Sequence, residues 1–269
     1  MERIRRSFRL IERSYQILMQ DKELMVLPLL SGVFITLAIV GVILGFGFST
    51  DTFEQDRGTA YLPIFVMYVV TYTIGIFFQS AVVAGATERM RGGDPTLRSA
   101  LGAAWSRIGA ILGWALFAAT VGMLLKFIED RVGFLGKIVT RLAGVAWSLA
   151  TFFIVPVLVL EDHPVDESFT RSASLFRQTW GETFAGGAGI GIIAVFAWIA
   201  LAIVVFLLVS IGALIPALVA GVVGAVTIAA FTSALQGVYV ASLYRYATAG
   251  HETSGFDEDL LAQAFVPKR

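Results

Sequence analysis

Residues 161–191 read EDHPVDESFTRSASLFRQTWGETFAGGAGIG, a charged and aromatic stretch that runs directly into an apolar one. Pro164 suits the first turn of a helix, and Asp166 and Glu167 complement the positive end of a helix dipole. Glu167 precedes Arg171 by four residues, the favourable order for an ion pair on a helix surface. The stretch therefore predicts an amphipathic helix at a membrane surface that leads into a membrane-crossing helix.

This predicted surface helix has one face that we expect to lie against the membrane. Its residues recur at helical spacing: Val165, Phe169, Ser172 or Ala173, Phe176 and Trp180. Tryptophan favours the membrane interface because its ring is apolar and its N–H is polar. Gly181 is expected to turn the chain into the following span, and Gly187 and Gly191 to let another helix approach closely.

The rest of the chain supports a membrane protein. Of its 269 residues, 57% are hydrophobic and 15% are charged, against roughly 45–50% and 25% in average globular proteins. The charged residues are absent in blocks, namely 24–50, 58–87, 108–125, 142–160 and 183–244. A spanning helix needs roughly 20 apolar residues. Each of the first four blocks therefore makes one span, and the last makes two, with a turn near Ser210, Gly212 and Pro216.

The predicted fold is all-α: a single integral membrane domain over residues 1–269, with six spans arranged as three helical hairpins. The spans are expected at about 24–48, 61–86, 108–125, 142–160, 188–209 and 215–243. Residues 1–23 are expected to form an interfacial helix, 126–141 a short helix on the opposite surface, and 244–269 a cytoplasmic tail with a terminal helix. A turn is predicted at 92–95, where the sequence is GGDP, before another surface helix.

Lysine and arginine predict the orientation. With these six spans, 15 of the 20 Lys and Arg residues lie on the side that holds both termini. Because Lys and Arg are enriched in cytoplasmic segments, both termini are predicted to be cytoplasmic. We expect a multi-pass protein of the cell membrane.

The N-terminal helix is predicted to be apolar on one face and basic on the other. The apolar face is formed by Ile4, Phe8, Ile11, Tyr15 and Leu18. Arg5, Arg6, Arg9 and Arg13 lie on the other face, where they would meet anionic headgroups. Two interpretations stand side by side: a lipid-sensing arm, or a basic anchor that sets the topology.

The chain also shows a weak internal repeat. The second span ends in QSAVVA at 79–84 and the sixth in QGVYVA at 236–241, and each is followed by an arginine, Arg89 or Arg245. Together with similar surface helices, this predicts three copies of one unit: surface helix, helix in, helix out.

Sequence features that would carry chemistry are missing. Net charge is zero, which gives no overall attraction to nucleic acid. There is no cysteine, and the two histidines, His163 and His251, have no metal-ligand spacing. No hydrolase, phosphate-loop or metalloprotease motif occurs, and no ionisable residue lies within a predicted span. We expect no enzyme activity, no cofactor and no metal.

Two functions remain. The first is a non-enzymatic protein that organises lipids or other membrane proteins. Its partners would be the bilayer, anionic lipids, a second copy or another membrane protein, contacted through Arg5, Arg6, Arg9, Arg13, Arg171, Arg177 and Trp180. The alternative is a small-solute transporter or channel whose polar path, or set of interhelical hydrogen bonds, comprises Thr71, Thr73, Gln79, Thr227, Thr232 and Gln236.

Residues 156–161 (PVLVLE) and 167–182 (ESFTRSASLFRQTWGE) carry a family resemblance. With RIRRSF at 3–8 and DKEL at 21–24, the chain resembles an uncharacterised family of prokaryotic six-span membrane proteins. It is also loosely similar to the membrane domains attached to glycerophosphodiester phosphodiesterases. The resemblance implies an architecture and a compartment, and no activity.

Overall fold

The computed structural model describes residues 2–46, 57–161 and 163–249, with their side chains except those of 2–8, 57–61, 134, 135, 182, 185 and 249. Within these ranges the chain is all-α and holds no strand, as predicted. The helices of the described ranges are α1 (Glu2–Gln20), α2 (Val26–Phe46), α3 (Arg57–Met90), α4 (Leu97–Ser106), α5 (Ile108–Arg131), α6 (Phe134–Ala150), α7 (Ile154–Leu160), α8 (Val165–Ser210) and α9 (Leu214–Ala249). A 3-10 turn, Lys22–Met25, joins α1 to α2. The predicted terminal helix of the tail lies outside the described residues.

Six helical segments of the described chain are long and apolar enough to cross a membrane. They are Lys22–Phe46, Leu62–Met90, Ile108–Arg131, Gly136–Leu160, Gly186–Ser210 and Leu214–Thr248. The predicted number of candidate spans is confirmed, and six such helices indicate a multi-pass membrane protein.

The connection between the third and fourth spans differs from the prediction. α5 continues to Arg131 and α6 begins at Phe134, so only Val132 and Gly133 lie between them. The prediction of a separate surface helix in this region is therefore wrong. Charged residues at the end of a span lie beyond the hydrocarbon and leave the helical hydrogen bonds intact, so the helix continues until the extended backbone at Val132 and Gly133 ends it.

The fourth and fifth spans also depart from expectation. The fourth is interrupted, because α6 ends at Ala150 and α7 begins only at Ile154. The fifth is continuous with the surface helix before it, since α8 is a single helix from Val165 to Ser210. Its one non-helical residue is Thr179, with φ −116° and ψ 15°. The predicted turn at Gly181 is therefore wrong, and the bend lies two residues earlier.

The structure has two turns at the places that the sequence predicted. Gly92 has φ +84° and follows the end of α3, and Gly212 has φ +78° between α8 and α9. Both adopt the left-handed conformation that glycine tolerates without a steric penalty. After the first turn, Thr96 and Ser99 cap α4 by exchanging hydrogen bonds between side chain and backbone, at 3.0 and 3.1 Å.

The chain divides into two compact units. The first comprises Met1–Leu29, Val82–Ala100 and Arg177–Arg269, and the second Leu30–Ala81 and Leu101–Phe176. The single membrane domain expected from the sequence stays a prediction.

In the first unit, α1 packs against α9. The wholly buried large side chains come from α1, the segment after it and the ends of α3 and α9: Leu18, Leu24, Leu27, Val82, Val83, Leu235, Tyr239 and Leu243. The apolar part of α8 beyond residue 191 contributes little to this core, because its large side chains are exposed.

In the second unit, the core lies where α5, α7 and the beginning of α8 meet. Trp114, Ala118, Ile154 and Leu158 form the buried cluster. Partly buried residues pack around it, namely Ile76, Ala110, Trp147, Val155, Val165 and Phe169. Three of the surrounding rings are stacked, since Trp147 is nearly parallel to Trp114 at 5.8 Å and lies 5.4 Å from Phe169.

Candidate functional site

The turn between α7 and α8 holds a cluster of charged and ionisable side chains within the second unit. Arg171 donates from Nε to both carboxylate oxygens of Glu161, at 3.2 and 3.1 Å. His163 lies between two carboxylates, with Nε2 2.9 Å from Glu161 and Nδ1 3.3 Å from Glu167. In the structure, Arg171 thus pairs with Glu161 and not with Glu167 as the four-residue spacing predicted.

An open groove of about 480 Å³ runs beside this cluster. It is lined by His163, Asp166, Glu167, Thr170, Arg171 and Ser174. The acidic groups of the groove would repel an anion, and its arginine already has a carboxylate partner. The predicted contact of Arg171 with lipid phosphate would therefore have to compete with Glu161.

The predicted membrane-facing side of the surface helix is packed against protein over its first turns. Val165 and Phe169 pack on the Trp114 cluster, and Phe176 lies 6.3 Å from Phe152, measured between ring centroids. This part of the prediction is wrong. A stripe of apolar residues requires an apolar neighbour, and here α5 and α7 provide it.

Ser172 completes the interrupted span between α6 and α7. Its hydroxyl donates to the carbonyl oxygen of Ala150 at 2.7 Å and accepts a hydrogen bond from the backbone N–H of Phe153 at 3.0 Å. A break in a helix at membrane depth is tolerated only where the backbone groups that it frees are satisfied within the protein. Ser172 meets this condition, and we infer that it holds α8 against the break.

The bend of α8 lies at Thr179 and is followed by an outward stripe. Thr179 and Thr183 are buried, and the Thr183 hydroxyl donates to the Thr179 carbonyl oxygen at 2.9 Å. On the opposite side Arg177 is exposed, as are Trp180 (54%) and Phe184. Two of the predicted contact residues, Arg177 and Trp180, therefore lie together on one exposed face.

The glycines that allow close packing are not the predicted ones. A Cβ on Gly187 or Gly191 would meet nothing within 4 Å. A Cβ on Gly186 would overlap the hydroxyl of Tyr239, and one on Gly189 would lie 2.7 Å from Ile11. The close contacts of α8 within the first unit therefore use Gly186 and Gly189, because the bend at Thr179 determines which side of the helix faces α9 and α1.

The apolar face of α1 is covered by protein and not by the membrane. Leu10, Ile11, Ile17 and Leu18 are buried. Ser14 is buried beside them, with its hydroxyl oxygen 3.4 Å from that of Ser242 on α9. The face predicted to lie in the membrane interface packs on α9 instead.

The register of that face also differs from the prediction. Tyr15, expected among the apolar contacts, is half exposed and meets Phe231 edge to face at 6.3 Å. Of the predicted headgroup contacts, Arg9 is exposed and Arg13 half-buried, and neither is without a partner. The side chains of Arg5 and Arg6 lie outside the described residues.

Sequence reasoning missed a buried ion pair in the first unit. Arg89, near the end of α3, donates from Nε and Nη2 to the two carboxylate oxygens of Asp21, which follows α1. Both side chains are 7% exposed. Arg89 also bonds Asp94 at 2.7 Å. A signal was present: each charge stands at the border of an apolar run, where a buried charge needs a partner.

Four of the six residues of the predicted polar path are hydrogen-bonded within their own helices. The hydroxyls of Thr71, Thr73, Thr227 and Thr232 donate to the carbonyl oxygen four residues earlier, at 2.6 to 2.8 Å. Gln79 is half-buried and Gln236 is exposed. Such back-bonded threonines have already used their single donor.

Comparison with protein families supplies the last observation. The family of unknown function DUF6159 matches residues 58–256, well over half of the chain. Those residues contain the spans from Leu62–Met90 to the last. Among curated proteins, none matches the chain significantly. The likeness to phosphodiesterase membrane domains therefore has no support, and the chain belongs to the DUF6159 family of unknown function.

Proposed function

We propose that the protein is a non-enzymatic, lipid-interacting accessory protein that organises lipids or other membrane proteins around it. One observation carries the proposal: Arg177, Trp180 and Phe184 form an outward stripe on α8 that leads into the uncovered apolar part of the same helix. The stripe presents a cation, an interfacial aromatic ring and an apolar ring in that order. A helix meets headgroups and then acyl chains in the same order.

The chemistry of the stripe favours anionic lipids. A guanidinium group binds phosphate through paired hydrogen bonds, and an arginine near an anionic membrane surface gains about 1 kcal/mol. The indole of Trp180 keeps its N–H among the headgroups while its ring contacts the acyl chains. The stripe would therefore hold an anionic headgroup beside Arg177 and fix the depth of α8.

Two features favour this function over the alternative of a small-solute transporter or channel. The threonines of the proposed polar path donate to their own helices. The backbone groups freed by the break between α6 and α7, which elsewhere can coordinate an ion, include two bonded by Ser172. Flux of a defined solute in liposomes, lost on replacing Thr71 or Thr227 by valine, would support the transporter instead.

The proposal includes the topology predicted from the sequence. It places three helical hairpins in the cell membrane with both termini in the cytoplasm, supported by the excess of Lys and Arg on that side. The internal repeat stays a prediction. Its matched arginines have different partners, since Arg89 pairs with Asp21 and Arg245 donates to the carbonyl oxygen of Met90 at 2.6 Å.

The proposed partners are bilayer lipids, anionic lipids among them, and a second copy or another membrane protein. We propose neither a cofactor nor a nucleic-acid partner, and no enzyme activity. These exclusions rest on the sequence, which has no overall charge, no cysteine and no catalytic motif.

Native mass spectrometry of the purified protein tests the lipid contact. The protein is equilibrated with equal amounts of phosphatidylglycerol and phosphatidylcholine, and the bound lipids are counted. We expect Arg177→Gln to lower the preference for phosphatidylglycerol by about fivefold, which corresponds to about 1 kcal/mol.

Arg141→Gln is the matched control, because Arg141 is an exposed arginine on another helix, α6. The control should keep the wild-type preference. Equal loss in both variants would mean that total charge, and not the stripe, selects the lipid. No preference in the wild type would overturn the proposal.

A further inference from the structure

We propose that α4 is a second membrane-contact helix, and that Trp105 inserts its ring into the interfacial region of the bilayer. The proposal goes beyond the α8 stripe, shares no residue with it and requires only that the chain crosses a bilayer. It rests on three observations: the burial pattern of α4, the exposed stripe that continues from it into α5, and the contact that orients the Trp105 ring.

The two faces of α4 have opposite surroundings. Ala100 and Ala104, four residues apart, are buried, so the small face of the helix packs on protein. Arg98 and Gly102 are exposed on the other face, and Trp105 is 67% exposed. An exposed tryptophan is costly in water because it keeps a large apolar surface hydrated, whereas the membrane interface accommodates both its ring and its N–H.

The exposed face continues into a membrane-spanning helix. Only Arg107, with φ −110° and ψ 14°, separates α4 from α5. Beyond it the exposed positions recur at helical spacing as Gly109, Leu112 and Leu116. Because α5 is long and apolar enough to cross a membrane, the proposal places Leu112 and Leu116 against acyl chains. Trp105 lies on the continuation of that lipid-facing stripe, toward the end where the span begins.

The ring of Trp105 is oriented by a neighbour in the second unit. Phe77 meets it edge to face, with 6.3 Å between ring centroids and an interplanar angle of 86°. This contact covers one part of the indole and leaves most of it outward. The partner that fits the outward part is a layer with apolar chains on one side and polar headgroups on the other, which is the interface of the bilayer.

Depth measurement by electron paramagnetic resonance tests the proposal. The chain has no cysteine, so single-cysteine variants carry one spin label without background. Arg98→Cys, Trp105→Cys, Leu112→Cys and Leu116→Cys are reconstituted in liposomes, and collisions with oxygen and with a water-soluble nickel chelate are compared.

We expect nickel collisions to dominate at 98, oxygen collisions to dominate at 112 and 116, and position 105 to fall between. Leu112 lies about 10 Å along the helix from Trp105, by the rise of 1.5 Å per residue. Ile111→Cys is the buried control, since Ile111 is wholly covered, and its label should be shielded from both reagents.

Two outcomes would overturn the proposal. If the label at 105 collided with the nickel chelate as often as the label at 98, this face of α4 would be exposed to water. If it were shielded as at 111, protein such as a second copy would cover this face. Because Trp105→Cys removes the ring itself, quenching of tryptophan fluorescence by brominated lipids is compared between the wild type and Trp105→Phe. We expect the variant to show weaker quenching, and equal quenching would contradict insertion.

Discussion

Two apolar helical surfaces in the first unit have opposite surroundings. α1 buries its apolar side chains against protein, with Leu18 wholly covered, whereas the part of α8 at 192–209 leaves side chains such as Phe196 and Phe206 mostly exposed. α1 is amphipathic, and one apolar neighbour covers its stripe. A helix that is apolar on all sides needs apolar surroundings on all sides, which the lipid supplies. The comparison teaches that an amphipathic pattern leaves the choice of neighbour open, while a uniformly apolar run does not.

Removing the ion pair that joins the end of α1 to α3 should cause the largest loss of stability. Arg89→Ala leaves Asp21 as a buried charge without its partner. We expect the free energy of unfolding to fall by about 3–5 kcal/mol. Equilibrium unfolding in mixed detergent micelles, followed by circular dichroism, measures the loss.

The exposed carboxylate of the same network provides the control. Asp94 is 73% exposed, so Asp94→Asn should cost at most about 1 kcal/mol. Equal losses in Arg89→Ala and Asp94→Asn would mean that α1 does not depend on a buried charge. Replacing both buried partners, as in Asp21→Leu with Arg89→Met, should restore part of the stability, since no unpaired charge then remains.

Truncating one leucine in each region tests the comparison directly. Leu18→Ala on α1 removes a wholly buried side chain, and we expect a loss of about 2–5 kcal/mol in the free energy of unfolding. Leu207→Ala on α8 removes a side chain that is 56% exposed. It should cost less than about 1 kcal/mol, because acyl chains are as apolar as the leucine that they replace as neighbours. Similar losses in the two variants would mean that α1 and this part of α8 do not differ in their surroundings.

The smallest expected effect is the difference in stability between alanine substitutions at two adjacent glycines. Gly186→Ala would press a methyl group into Tyr239, so we expect a loss of about 1–3 kcal/mol from overpacking. Gly187→Ala meets open space and should be neutral or stabilising, because alanine favours a helix over glycine by about 1 kcal/mol. Thermal unfolding of both variants in detergent checks the order, and the reverse order would place the α8–α9 contact elsewhere.

Much of the fold followed from the pattern of the chain. The charge-free blocks predicted six spans because a charge is expensive in hydrocarbon, and Gly92 and Gly212 marked turns because glycine tolerates positive φ. The helix ends were less predictable. Polar residues such as Lys126 and Arg131 stay helical beyond the hydrocarbon, so composition alone ended α5 too early.

The candidate site was predictable only in part. Arg177 and Trp180 were expected to contact the membrane, and both are exposed on one face of α8. Trp105 was missed, although a tryptophan two residues before an arginine and a new span was visible in the sequence. The contacts of Ser172 with Ala150 and Phe153 could not be inferred, since they join residues about twenty positions apart. Only the break itself had a local signal, because Pro156 cannot make the helical hydrogen bond to the carbonyl of Phe152.

By itself the sequence determined that this protein is all-α, that it has six helices long and apolar enough to cross a membrane, and where its two glycine turns lie. These properties depend on the local cost of placing charge in lipid and on local backbone freedom. Only the tertiary structure decided that α1 and the first part of α8 are covered by protein, that Arg89 pairs with Asp21 and that α8 bends at Thr179. An apolar stripe gains nearly the same free energy from protein as from lipid, so long-range packing made that choice.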